Sequence, residues 1–127
     1  MGKITITKKF EFCYGHHLPA YSGKCQHVHG HNSTLEIEID NHHNVTTYPG
    51  MVMDFGDLKL VVKDRIVEYL DHKDLNSLPE FKDKAPTAEN IVSWIVKNLT
   101  SPDSPLQYCL VRVRVYETPD SYAEWNA

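Results

Sequence analysis

The chain opens with an alternation of apolar and polar residues that is typical of β-strands. Over residues 3–12 the apolar side chains occupy even positions, and over residues 32–40 they occupy odd positions. Each pattern has a period of two, so each predicts a strand with one face buried and the other in water. Residues 42–50 have the composition of a turn and predict a hairpin tip that leads into a short strand over 51–54.

The middle of the chain changes to a helical period. Residues 56–70 carry apolar side chains every three or four positions, which predicts an amphipathic helix. Thr87 is a good helix N-cap, and a second helical stripe follows it over residues 91–99. Residues 108–117 alternate again and predict a final strand. This order predicts one α+β domain over residues 1–127, with an antiparallel sheet and two helices packed on one face.

Charge and composition narrow the function classes. The 127 residues carry a net charge of −4, which argues against a nucleic-acid-binding face. No stretch approaches the roughly 20 apolar residues that cross a bilayer, and the first residues lack the apolar run of a signal peptide. The 3 cysteines are an odd number, which argues against a disulfide framework. We therefore expect a cytoplasmic protein that acts on neither nucleic acid nor membranes.

Histidine is the unusual feature of the composition, because five of the 8 histidines lie between positions 16 and 31. His29 and His31 are two residues apart, so an extended backbone places both on one face, and their parity continues the apolar positions of residues 32–40. His16 continues the apolar parity of the first strand. Three imidazoles that converge at two strand ends suit a catalytic zinc ion, which takes three protein ligands and keeps a fourth position open. The alternative is a set of ordinary surface histidines.

Cys25 lies four residues before His29 and has two candidate roles. As a fourth zinc ligand it would close the site and make the metal structural. A cation beside a thiol lowers the thiol pKa, so Cys25 would alternatively act as a base or nucleophile near the metal. The spacing leaves both roles open.

Asp71 and His72 follow the first predicted helix directly. A carboxylate bonded to an imidazole fixes the tautomer of the ring and raises its basicity, which suits proton transfer. Adjacent side chains seldom pair within one chain, however, and a histidine at a helix C-terminus also stabilises the helix dipole. A catalytic pair and a helix-terminal cation therefore both remain open.

Glu117 ends the buried face of the last predicted strand, where a carboxylate needs a partner. A heterocycle edge with two parallel N–H donors would satisfy it, and so would an arginine. A strand end that frays into solvent is the further alternative.

Six short segments, in one order, resemble the 6-pyruvoyl- and 6-carboxy-tetrahydropterin synthases of the T-fold group. They extend over nearly the whole chain and read FCYGHHL (12–18), CQHVHGH (25–31), MDFGDLK (53–59), LDHKDLN (70–76), PTAE (86–89) and ETPDSYAEW (117–125). The resemblance implies a T-fold whose sheets pair edge to edge, oligomerise into a barrel and stack. It implies a homo-oligomer, either a trimer-based hexamer or a tetramer, with active sites at subunit interfaces.

The resemblance also implies roles for the metal and for the acid–base groups. His16, His29 and His31 would ligate Zn²⁺ as the cofactor. Cys25 would be the general base. A proton relay would be completed by Asp71 and His72, which would serve the Cys25 of a neighbouring subunit.

Substrate recognition follows from the same resemblance. Glu117 would anchor a pterin ring through its amino-pyrimidine edge, with Thr87 and Glu89 near the ring pocket. The substrate would be the small molecule 7,8-dihydroneopterin triphosphate. Tyr14 departs from the family, which often has a small residue such as alanine at this position.

The subclass depends on the three-residue gap between Cys25 and His29. This gap and the ending ETPDSYAEW resemble the 6-carboxy type of queuosine biosynthesis, which releases acetaldehyde and triphosphate and forms 6-carboxy-5,6,7,8-tetrahydropterin. The animal 6-pyruvoyl type has a wider gap. Two alternatives stay open, namely an enzyme that makes the 6-pyruvoyl product and a zinc-stabilised binding module without turnover.

Overall fold

The computed structural model describes residues 3–41 and 48–127, which form a five-stranded sheet and two helices. The strands are β1 (Thr5–His16), β2 (His29–Asp40), β3 (Lys73–Asp74), β4 (Leu110–Thr118) and β5 (Ser121–Asn126), and their spatial order is β3-β1-β2-β4-β5. Neighbouring strands are antiparallel except for the short β3, which runs parallel to β1. The predicted α+β fold, with an antiparallel sheet and two helices, is confirmed.

The pairing of β1 with β2 determines where the histidines lie. Pairing is continuous from Thr5 opposite Asp40 to His16 opposite His29. Because side chains alternate across a strand, this register keeps the apolar side chains of the two strands, apart from Cys13, on one inward face. Both strands extend further towards each other than the alternating apolar patterns predict, and the histidines occupy these extensions.

The helix α1 begins at Phe55 and ends at Leu70, close to the predicted 56–70. It is α-helical over Phe55–Val62, π-helical over Lys63–Val67 and α-helical again over Glu68–Leu70. The side chain of Asp54 caps its first turn by accepting hydrogen bonds from backbone N–H groups.

The second helix, α2, spans Ala88–Leu99, and its predicted N-cap Thr87 accepts a hydrogen bond from the backbone N–H of Asn90. Helix α1 packs against β1, and α2 packs against β4 and β5. The buried apolar side chains of both helices and of the inward sheet face form one core. Two helices therefore cover the same face of the sheet, as the sequence predicts.

Two parts of the sequence prediction need correction. Residues 51–54 do not form the predicted short strand; Val52 and Met53 are buried in irregular backbone, and Asp54 is committed to capping α1. Of the predicted hairpin tip over residues 42–50, positions 42–47 lie outside the described residues. Strand β5 is absent from the prediction because most of its side chains are exposed, so it lacks a clear apolar alternation.

Helix length bears on membrane association. Within the two described ranges, neither helix is long and apolar enough to span a bilayer.

Candidate active site

Four inward-facing residues of β1 and β2 form a block at the end of the strand pair. His16 lies directly opposite His29, and Tyr14 lies directly opposite His31. Strand parity predicts that the three histidines share this face, and the structure brings them together there. His16 is only 1% exposed, so the block is continuous with the core.

The three imidazole rings surround a common point. The centroid of His16 lies 4.5 Å from that of His29 and 4.9 Å from that of His31, and the centroids of His29 and His31 lie 4.9 Å apart. The ring planes cross at 64°, 81° and 85°. The Nε2 atoms of His16 and His31 are 3.0 Å apart. Rings in this mutual arrangement present nitrogen atoms to one position, as in a metal site.

Backbone carbonyls fix the tautomers of two of these rings. The Nδ1–H of His16 donates to the carbonyl oxygen of Pro86 at 2.7 Å, and the Nδ1–H of His29 donates to that of His27 at 2.7 Å. A carbonyl oxygen only accepts hydrogen bonds, so each Nδ1 carries the proton and each neutral ring has its lone pair on Nε2. Orienting bonds of this kind are typical of histidines that ligate metals.

Glu117 reaches the histidines through a β-bulge. Tyr116 pairs with Tyr122 and Thr118 pairs with Ser121, which leaves Glu117 as the extra residue of β4. Its Oε1 lies 3.4 Å from the Nε2 of His16 and 3.2 Å from the Nε2 of His31. The sequence identifies Glu117 as a buried-face carboxylate that needs a partner, but it names an arginine or a ligand edge and misses the histidines.

Burial favours neutral histidines in this cluster. Desolvation lowers the pKa of His16 below its usual value, and the hydrogen bond to Pro86 opposes this shift only in part. Desolvation likewise lowers the pKa of His31, against the opposing effect of Glu117. A neutral imidazole is the form that ligates a metal, so the shifts suit that role.

The donor set of this cluster fits a divalent metal ion. One ligand atom from each of His16, His29, His31 and Glu117 lies within 4.8 Å of the other three. Three imidazole nitrogens and a carboxylate oxygen are ligands that zinc and similar ions accept. We call these four residues the inner cluster.

Cys25 lies outside the inner cluster. It sits in a single 3-10 turn, Lys24–Gln26, and is half-buried, with its carbonyl oxygen accepting a hydrogen bond from the N–H of Leu18 at 2.7 Å. Over residues 3–41 and 48–127, the fourth donor beside the three histidines is therefore the carboxylate of Glu117 and not this thiol. The closed site of three histidines and Cys25, one of the sequence alternatives, is not the arrangement observed.

Asp71 and His72 do pair within the chain, against the usual tendency of adjacent residues. The Nδ1 of His72 lies 3.0 Å from Oδ2 of Asp71. His72 has φ = 59°, a left-handed conformation that non-glycine residues seldom adopt, and its side chain is 80% exposed. The sequence leaves this pairing open, because it depends on a backbone conformation that cannot be read from the residue types alone.

The backbone of Cys13 holds the pair in place. The N–H of Cys13 donates to Oδ1 of Asp71 at 2.8 Å, and its carbonyl oxygen accepts from the N–H of His72 at 2.6 Å. The hydrogen bond from Cys13 is the main cause that lowers the pKa of Asp71, with a further contribution from His72. Ligand-type atoms of Cys13, Asp71 and His72 lie within 4.8 Å of one another. We call these three residues the outer cluster.

The two clusters lie on opposite faces of the sheet. Cys13 has the opposite parity to Tyr14, and its Sγ donates to Oδ1 of Asn32 on the neighbouring strand at 3.0 Å. Asn32 in turn has the opposite parity to His31. The outer cluster is therefore separated by the sheet from the histidines of its own chain.

A cleft of about 700 Å³ between α2 and β5 lies beside the inner cluster, and Glu89, Glu117 and Trp125 contribute to its lining. Glu89 and Glu117, both predicted near the ring pocket, thus share one cavity. The hydroxyl of Thr87 is engaged in capping α2 by accepting from Asn90 at 3.1 Å. Concave sites with a few convergent polar groups are typical of small-molecule binding.

Comparison with known proteins identifies relatives of this chain. Residues 5–127 match the 6-pyruvoyl tetrahydropterin synthase family. The 6-carboxy-5,6,7,8-tetrahydropterin synthase of Haemophilus influenzae is 32% identical over 140 residues, which cover 95% of this chain and 97% of that protein. The 6-pyruvoyl tetrahydrobiopterin synthase of Homo sapiens is 35% identical over 100 residues, which cover 78% and 68% of the two chains.

A solved structure extends the similarity to the fold. The 6-pyruvoyl tetrahydropterin synthase of Caenorhabditis elegans matches with a TM-score of 0.84 and 25% identity, over 100% of this chain and 97% of that one. Sequence and fold thus agree over nearly the full length, and the chain belongs to the 6-pyruvoyl tetrahydropterin synthase family.

Proposed function

We propose that the protein is a zinc-dependent 6-carboxy-5,6,7,8-tetrahydropterin synthase. It would convert 7,8-dihydroneopterin triphosphate and one water molecule to 6-carboxy-5,6,7,8-tetrahydropterin, acetaldehyde and triphosphate. The observation that carries the proposal is the inner cluster, a metal-type donor set in a chain with full-length relatives that bear this name.

His16, His29 and His31 would hold the zinc ion, since two of them already have the tautomer that presents Nε2. A bound zinc ion supplies Lewis-acid polarisation of oxygen atoms on the substrate side chain. Burial keeps His16 and His31 neutral, so protons do not compete with the metal near neutral pH.

Proton transfer would fall to Cys25, Asp71 and His72. The thiolate of Cys25 removes a proton from a carbon of the substrate side chain. His72 then passes the proton on, while Asp71 fixes its ring by accepting at Nδ1 and stabilises the imidazolium. Positioned acid–base groups of this kind contribute roughly 10²–10⁴ in rate.

Glu117 would orient the ring. Its carboxylate has two oxygens, which match two parallel N–H donors on the amino-pyrimidine edge of a pterin. Glu89 shares the cleft, and Thr87 lies at the start of the helix that forms one wall. This role requires Glu117 to exchange its contacts with His16 and His31 for the ring.

The separation of the two clusters supports an oligomer with shared sites. Asp71 and His72 lie behind the sheet from the histidines of their own chain, and the ring of His72 is exposed. A second copy that covers this face would bring its own Cys25 to His72. We therefore propose a homo-oligomer, a trimer-based hexamer or a tetramer, with active sites between subunits.

Product analysis tests the proposal. The zinc-loaded protein is incubated with 7,8-dihydroneopterin triphosphate, and acetaldehyde, triphosphate and the pterin product are quantified. We expect all three in equal amounts. Triphosphate and a 6-pyruvoyl pterin without acetaldehyde would instead assign the reaction named for the Homo sapiens relative.

A Cys25→Ala variant separates an enzyme from a binding module. We expect it to keep its zinc and its fold while turnover falls by roughly a hundredfold or more. Cys109→Ala is the matched control, because Cys109 is a buried core thiol away from both clusters. Loss of zinc and unfolding in Cys25→Ala alone would indicate a structural metal site without turnover.

A further inference from the structure

Tyr14 is the fourth member of the inward-facing block, and the roles proposed above leave it unused. It lies directly opposite His31, with the two ring centroids 5.6 Å apart. Its ring meets that of His16 edge to face, at 5.2 Å and 90°, and stacks on Phe12 at 5.5 Å. Two histidines of the inner cluster therefore share a boundary with this phenol.

The hydroxyl of Tyr14 is buried without a hydrogen bond. The residue is 3% exposed, and the part of the chain that the structure describes offers its Oη no hydrogen-bond partner. A polar group that loses water without gaining a partner is destabilising, and such groups are uncommon enough to need an explanation. Phenylalanine would fill the same volume without this penalty.

Other tyrosines of the chain show the usual solution. The hydroxyl of Tyr69 donates to Glu80 at 2.7 Å, and that of Tyr116 accepts from Nη1 of Arg114 at 3.0 Å. Tyr14 has the same group in a more apolar setting, beside the proposed metal ligands. Its hydroxyl is thus suited to a partner that arrives with the ligand.

We propose that Tyr14 is a substrate-binding residue whose hydroxyl donates a hydrogen bond to an oxygen on the side chain of the bound pterin. This inference rests on the proposed function, in which Glu117 accepts the ring edge and the histidines face the side chain. Glu117 and the ring of Tyr14 both contact His16 and His31, so a side chain that takes the place of Glu117 beside these histidines lies next to Tyr14. A neutral phenol then adds a hydrogen-bond donor beside a cluster in which the Nε2 lone pairs of His16 and His29 are committed to the proposed metal.

The test compares two stable pterins, neopterin, which carries the trihydroxypropyl side chain, and 6-methylpterin, which has no side-chain oxygen. Their affinities for the zinc-loaded wild type and Tyr14→Phe are measured by pterin fluorescence. We expect Tyr14→Phe to weaken neopterin binding about tenfold, the effect of one hydrogen bond, and to leave 6-methylpterin binding unchanged. Its zinc content should be unchanged, and its Tm should be equal to or above that of the wild type.

Tyr69→Phe is the matched control, because its hydroxyl is partnered and lies on α1 away from the block. It should leave both affinities unchanged and lower the Tm slightly. Equal neopterin affinity in Tyr14→Phe and wild type would overturn the inference, and so would an equal loss for both pterins. A lower Tm with unchanged affinities would assign the hydroxyl to a structural water. A wild type that binds neither pterin would overturn the proposed function and this inference with it.

Discussion

The inner and outer clusters both combine histidine with a carboxylate, but they differ in how far they are exposed to solvent. In the inner cluster His16 is buried and the other three members are half-buried. Backbone carbonyls of Pro86 and His27 fix two of its histidines, and its ligand atoms converge within one chain. The outer cluster is anchored by the backbone of Cys13, but its imidazole, on His72, is 80% exposed. One cluster is complete without a partner, and the other is open towards solvent.

This difference separates binding from proton transfer. A metal site gains from rigid, pre-oriented ligands, because each ligand then loses little freedom on binding. A proton relay needs access to the reacting carbon, so an exposed ring that awaits a second surface is better placed for it. Substitutions in the inner cluster should therefore weaken zinc binding, whereas substitutions in the outer cluster should lower turnover.

The largest effect is expected at the inner cluster. His29→Ala should weaken zinc binding by at least about a hundredfold and should abolish turnover. The loss of a direct ligand should exceed the loss caused by removing a residue that only hydrogen-bonds to a ligand. His27→Ala keeps the backbone carbonyl that orients His29, so it should retain near-normal zinc affinity. Competition with a chromophoric chelator measures both affinities. If His29→Ala holds zinc as tightly as His27→Ala does, the inner cluster is not the metal site.

The outer cluster offers a test of subunit sharing. Cys25→Ala and Asp71→Asn should each retain about 1% of turnover or less. The two variants are then refolded together in equal amounts. About one site in four combines an intact Cys25 from an Asp71→Asn chain with an intact Asp71 from a Cys25→Ala chain, so activity should return to about a quarter of that of the wild type. The readout is acetaldehyde release per zinc.

Cys25→Ala mixed with His29→Ala is the control for this experiment. If Cys25 and His29 act from the same chain, every site in this mixture lacks one of them, and no activity should return. Mass spectrometry of the mixtures confirms that mixed oligomers have formed. An inactive mixture of Cys25→Ala with Asp71→Asn, in the presence of mixed oligomers, would mean that the outer cluster does not complete a neighbour's site.

The smallest effect concerns the backbone of the outer cluster. His72→Gly should raise the free energy of unfolding by about 0.5–1 kcal/mol, because glycine adopts a positive φ without strain and part of the gain is offset in the unfolded chain. Turnover should fall at the same time. Urea unfolding measures the stability.

Ala20→Gly is the matched control, since Ala20 has φ = 60° and is exposed. It should give a similar stabilisation with unchanged turnover. A His72→Gly variant that is less stable than wild type would show that the contact with Asp71 outweighs the backbone strain at this position.

Local patterns predict much of this molecule. A period of two gives β1 and β2 and places three histidines on one face, because side-chain parity depends only on the local backbone. A period near 3.6 gives α1 and α2 for the same reason. These elements are sufficient for the metal-site hypothesis.

The features that the sequence misses or leaves open depend on tertiary structure. Strand β5 is mostly exposed and its apolar alternation is confined to Ala123 and Trp125, so the sequence does not predict the strand. Without β5, the bulge that directs Glu117 to the histidines cannot be predicted either. The pairing of Asp71 with His72 depends on a positive φ, and the unpartnered hydroxyl of Tyr14 depends on what surrounds it. Each of these is set by packing between segments that are distant in sequence.

The hydrogen bond from His16 to Pro86 has a consequence for the order of folding. The two residues are 70 positions apart, whereas His16 and His29 pair within a local hairpin. Hairpins close early because their contacts are local, and long-range contacts form later. His16 therefore acquires its final tautomer only after α2 has docked. Tight zinc binding should accordingly develop late in refolding, at the step in which α2 packs against the sheet.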